Sequence, residues 1–120
     1  MDTRTGRLCF GLYDELYVVD LGQVMYFQAD DHYSHVYYAS GTHFMLPFGL
    51  SKVEAAIGEQ PEGSEVFVRL GRKHIVNTRR IFHVSTIKQQ LLLADDSGGT
   101  VAVKIPKPVL RTLIDNMRPQ

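Results

Sequence analysis

Gln23-Val24-Met25-Tyr26-Phe27-Gln28-Ala29-Asp30-Asp31-His32-Tyr33-Ser34-His35-Val36-Tyr37-Tyr38-Ala39-Ser40-Gly41-Thr42-His43-Phe44-Met45-Leu46 reads as three successive strands. The acidic pair Asp30-Asp31 is turn-prone and ends the first strand, 23–29. The second, 33–39, is rich in β-branched and aromatic residues, and Ser40-Gly41 folds it back into the third, 42–46. Outward from this core the same texture continues. Apolar pieces at 8–12 and 16–19 flank Tyr13-Asp14-Glu15 and predict an N-terminal hairpin within residues 1–20. Strands are predicted again at 66–70, 74–76, 80–84, 88–94 and 100–103, with residues 96–99 as a turn and 60–64 as a loop.

Two stretches break the β pattern. Leu50, Val53, Ala56 and Ile57 follow a helical spacing, and Ser51 with Glu54 three residues on has the form of a capping box; Gly58 supplies a stop. After Pro106, the residues Val109, Leu110, Leu113, Ile114 and Met117 form an amphipathic stripe suited to covering an open sheet edge. The expected fold is mainly β, with antiparallel sheets, one short internal helix and a C-terminal helix over about 106–118.

A chain of 120 residues, 44% hydrophobic and 22% charged, suits one globular domain spanning 1–120. A single cysteine, Cys9, forms no internal disulfide or Cys-rich zinc site. No apolar run approaches the ~20 residues of a membrane helix. Polar residues also interrupt the N-terminus before any signal-peptide core forms. These features predict a soluble, cytoplasmic domain without a membrane partner.

Thirteen basic and thirteen acidic side chains cancel, but unevenly. Residues 1–60 hold three bases and eight acids, net −5; residues 61–120 hold ten bases and five acids, net +5. Arg69, Arg72, Lys73, Arg79 and Arg80 follow one another with no acid between them. Such asymmetry points to a surface that meets a polyanion, or to a solvated face balanced by the acidic half.

Catalytic patterns are weak. Asp30, Asp31, His32 and His35 offer metal ligands or acid–base groups, but strand alternation turns His32 and His35 to opposite sides. No HExxH spacing, Gly-x-Ser-x-Gly elbow or complete phosphate loop is present, so neither an enzyme nor a cofactor is expected. Tyr33, Tyr37 and, across the hairpin, Phe44 offer rings for base stacking, although cross-strand packing is their ordinary use. What remains is Phe67-Val68-Arg69-Leu70-Gly71-Arg72-Lys73-His74-Ile75-Val76-Asn77. Phe67, Leu70, Ile75 and Val76 anchor two strand ends, and the Gly-Arg-Lys-His corner between them is expected to project polar heads. An arginine there suits the guanine O6/N7 edge in the ~12 Å major groove, while Lys73 and His74 suit phosphates.

Residues 66–77 resemble the central signature of LytTR-type (LytR/AlgR family) DNA-binding domains, usually Phe-x-Arg-(Ile/Val)-His-(Arg/Lys)-Ser-(Tyr/Phe)-(Ile/Val)-Val-Asn. Val24 through Tyr33 resembles that family's strand and Asp-rich turn, and Gly49-Leu50-Ser51-Lys52-Val53-Glu54 resembles its short helix. The likeness runs over about residues 16–103. It implies an elongated antiparallel β fold whose strand-end loops, not a recognition helix, enter successive major grooves of promoter DNA. By alignment, the base-contacting positions fall on Tyr33, Arg72 and Lys104, with Lys73, His74 and Arg79 toward phosphates; Arg80 and Lys107 are further cations expected to meet phosphates. The resemblance further implies the output domain of a bacterial two-component response regulator, working with a sensor or receiver partner and binding as two copies on direct repeats. The chain has no room for a doubly wound receiver unit. Gly71, Lys73 and His74 depart from the usual His, Ser and aromatic, which leaves the target sequence open. The alternative is a protein-interaction module on the same scaffold with weak or no DNA affinity.

Overall fold

The computed structural model describes residues 6–118. In chain order they form β1 (Arg7–Leu12), β2 (Glu15–Asp20), β3 (Val24–Asp30), β4 (Tyr33–Tyr38), β5 (His43–Leu46), α1 (Leu50–Gly58), α2 (Gly63–Val66), β6 (Phe67–Leu70), β7 (His74–Asn77), β8 (Ile81–Ser85), β9 (Gln90–Ala94), β10 (Thr100–Lys104) and α3 (Lys107–Met117). Residues 1–5 of the expected hairpin span lie outside the described residues. The central sheet has the order β5-β4-β3-β7-β6; β1-β2 form a hairpin and β10-β9-β8 a three-stranded sheet. The strand pairings are antiparallel. The molecule measures 46 × 35 × 27 Å.

Val24, Met25, Tyr26 and Phe27 are all buried, without the alternation of a strand that has one wet face. A β-bulge explains the run. Val24 pairs with Tyr38 and Tyr26 with Tyr37, so Met25 is an extra residue on β3. Val24 and Phe27 therefore enter one core while Met25 and Tyr26 enter the other.

The first core joins the hairpin residues Leu8, Phe10 and Val19 to Leu50, Val53 and Ile57 of α1. The second joins Leu91, Leu93 and Val103 of the small sheet to Leu110 and Leu113 of α3. Each such side chain contributes roughly 1.5–3 kcal/mol by leaving water. As its stripe predicts, α3 lies against β6 and β8, which are edge strands of their respective sheets.

Local expectations fail at three places. Residues 60–64 are not all loop, because Gly63 opens the short α2. An added Cβ at Gly63 would stand 2.0 Å from the Ile57 carbonyl oxygen, so only glycine permits this approach. Helix α1 starts from Gly49 without a side-chain cap and has Gly58 as its last residue, so Ser51 and Glu54 form no capping box. The strand expected at 88–94 starts at Gln90, after a turn in which Gln89 takes a φ of 51°. Phe44 has the ordinary cross-strand use: it pairs with Val36 and packs against Tyr38, on the face opposite Tyr37.

Candidate nucleic-acid interface

The corner between β6 and β7 is built by register. Leu70 pairs with His74, leaving Gly71, Arg72 and Lys73 as the turn, and Gly71 carries the φ of +67° that favours glycine. Phe67, Leu70, Ile75 and Val76 are buried on either side, as their sequence pattern predicts. Across the sheet, Gln28 pairs with His74, and the Ala29 amide donates to the Lys73 carbonyl at 2.8 Å. The turn at Asp31-His32 and the corner at 71–73 consequently share one end of the central sheet.

Lys104 reaches this end from the other sheet. It closes β10 opposite Gln90, and the Ile105 amide extends that pairing by donating to the Gln89 carbonyl at 3.1 Å. Arg72, Lys73 and Lys104 then line one concavity of about 580 Å³, with Tyr26, Gln28, His74 and Val103 among its walls and no carboxylate in the lining. Lys107, exposed at the start of α3, lies three residues beyond Lys104. Tyr33 is 46% exposed at the start of β4, opposite Asp30; it shares the end of the sheet but not the concavity.

Other cations are placed differently. His74 was expected to project from the corner; instead it is 8% exposed, with its ring 6.3 Å from that of Tyr26. Burial, with the charge of Lys73, pushes its pKa below 6.5, so the ring is neutral at pH 7. Burial likewise pushes the Tyr26 phenol up to about 12. Arg79 and Arg80 sit past the far end of β7, beside a separate cleft with Glu62 and Gly63. Arg80 donates to Asp96 at 3.1 Å and to the Gly22 carbonyl at 3.1 Å, and Arg79 lies 3.7 Å from Glu62. Arg69 pairs with Glu54 at 2.9 Å. Among the described residues, Arg72, Lys73, Lys104 and Lys107 take part in no ion pair.

The acidic turn forms a different arrangement from the metal cluster considered above. His35 lies between Asp30, 2.9 Å from its Nε2, and His43, 2.8 Å from its Nδ1, while His32 points into solvent. Among the described residues no group of three or more His, Cys, Asp or Glu is arranged to hold a metal ion.

The family model of the LytTr DNA-binding domain matches residues 14–110. This chain belongs to that family. The LytTR family is one of DNA-binding domains, not a catalytic one. A solved LytTr DNA-binding domain from Bacillus cereus shares the fold, with a TM-score of 0.64, 20% identity, and 96% of this chain and 99% of that chain covered. Among curated proteins no sequence matches the chain. Among the described residues, no helix is long and apolar enough to cross a membrane.

Proposed function

We propose that this LytTR domain binds double-stranded promoter DNA sequence-specifically, as the output domain of a bacterial transcriptional regulator in the cytoplasm. The corner at 71–73 and the end of β10 enter the major groove; Arg72 and Lys104 read guanine edges, and Tyr33 makes a third base contact. Lys73 and Lys107 neutralise phosphates. Two copies occupy direct repeats, and a sensor or receiver partner controls occupancy.

The reading is carried by one observation. In a chain of zero net charge, three cations converge on a concavity that no carboxylate lines, while Arg69 and Arg80 are held by acids elsewhere. Selection of bound fragments from random duplex DNA tests it, with affinity measured at about 50 and 200 mM salt. Two to four neutralised phosphates weaken binding roughly ten- to hundred-fold over that range. Failure to enrich any fragment, or indifference to salt, removes the proposal. The interaction-module reading draws on exposed apolar groups of the β1–β2 hairpin, Tyr13, Leu16 and Val18, and takes its place on either of those results.

A further inference from the structure

Arg69 belongs to the basic run but does not line the cationic concavity. Its guanidinium reaches two other elements instead. Nη1 donates to Ser51 Oγ at 3.3 Å and Glu54 Oε1 at 2.9 Å, both on α1. Nη2 donates to the carbonyl oxygen of Arg72 at 3.0 Å. Two consecutive carbonyls of the corner are thus held from opposite sides, Arg72 by Arg69 and Lys73 by the β3 amide of Ala29.

We infer that Arg69 is a positioning residue for the DNA-reading corner: by tying the Arg72 carbonyl to α1, it fixes the direction in which the Arg72 side chain leaves the turn. The inference rests on the proposed reading of Arg72 as a base contact. Its physical basis is local. Gly71 permits wide backbone excursions, so the turn needs an external tether to hold one conformation. A planar fork with donors on two nitrogens spans a helix and a turn carbonyl together, which a single lysine ammonium does not reproduce. Glu54 pairs with that fork at 2.9 Å, so the second cation near Arg72 adds little repulsion. Phe67, Leu70, Ile75 and Val76 anchor both strands independently of Arg69, so the fold persists without it.

The test compares wild type with Arg69→Ala, Arg69→Lys, Arg72→Ala and the Arg69→Ala/Arg72→Ala pair. The probes are a duplex that wild type recovers from a randomised pool and a scrambled duplex of equal composition. Arg69→Ala should lower the preference for the recovered duplex by about ten-fold, within the range of one base contact, and leave scrambled binding and the salt slope unchanged. Arg69→Lys should not restore the preference. In the Arg72→Ala background the Arg69 effect should vanish, because the two residues act as one unit. Equal losses on both duplexes, with the slope reduced by ~0.9, would make Arg69 a phosphate ligand and overturn the inference, as would additive losses in the pair.

A second readout needs no DNA. Backbone ¹⁵N order parameters at residues 71–73 of the free protein should fall from about 0.85 toward 0.6 in Arg69→Ala. They should fall in the same way in Ser51→Ala/Glu54→Ala, which leaves β6 intact. A corner that stays rigid in both variants refutes the positioning role, even if wild type shows no duplex preference and the DNA reading itself fails.

Discussion

Gln28 on β3 sits directly opposite His74 on β7. This pairing aligns the end of one strand with the start of the other, and so gathers two turns at a single end of the central sheet. It also points His74 into the second core, beside Tyr26, instead of outward with Arg72 and Lys73. The corner's charge therefore comes from two residues, and the third polar group is part of its foundation.

That placement makes stability pH-dependent. His74 has a folded pKa below its ordinary 6.5, mainly because burial disfavours the cation. The unfolded chain then takes up the proton more readily, so the stabilising contribution is complete above about pH 6.5 and is lost as pH falls through the lower folded value. Urea midpoints measured at pH 7.5 and 5.5 should drop for wild type. His74→Gln, which does not titrate, should show a smaller drop over the same interval. Equal drops in both proteins would assign the effect to other groups.

The sequence displays the strands and the α1 stripe because those signals are local: turn residues, alternation, and the spacing of Leu50, Val53 and Ile57. It hides what long-range contacts decide. Ser51 and Glu54 have capping-box spacing, yet their partner is Arg69, eighteen residues beyond Ser51. The cations from Arg69 to Arg80 look like one patch, but β7 lies among them and its four residues separate the ends by ~13 Å. Arg72 and Lys104 emerge as neighbours only when two sheets pack. Only the family resemblance marks Lys104; no local pattern around it does so.

Arg72 and Lys73 are adjacent in the corner but should fail differently. Arg72→Ala is expected to cost ~1–3 kcal/mol on the selected duplex and to relax specificity, because a bidentate contact discriminates among bases. Lys73→Ala should weaken selected and scrambled duplexes alike and lower the salt slope by ~0.9. Titrations of both variants on both duplexes distinguish the roles. Equal losses for Arg72→Ala would count against base reading.

Arg80 should matter to the fold rather than to DNA. Its guanidinium joins the loop after β9 to the segment before β3, through Asp96 and the Gly22 carbonyl. Partial exposure weakens the ion pair, so Arg80→Ala should cost about 1 kcal/mol, mostly through the lost charge-assisted hydrogen bonds. Chemical denaturation reads that loss, and the salt slope of DNA binding should remain at the wild-type value. A slope shallower by about one phosphate would instead place Arg80 against the DNA backbone.

Gly63 tests the close approach between α1 and α2. An added methyl group meets the Ile57 carbonyl at 2.0 Å, with the carbonyl carbon 3.0 Å away. Both are backbone atoms, so no side-chain rotation relieves the overlap and α2 must shift. Gly63→Ala should therefore cost about 2 kcal/mol, within the range of overpacking, and lower Tm by on the order of 10 °C. Gly58→Ala is the matched control, since an added Cβ there has nothing within 4 Å and alanine favours a helix over glycine. Differential scanning calorimetry should show Tm falling in the first variant and holding or rising in the second. Similar falls in both would mean that the contact with Ile57 does not account for the Gly63 effect.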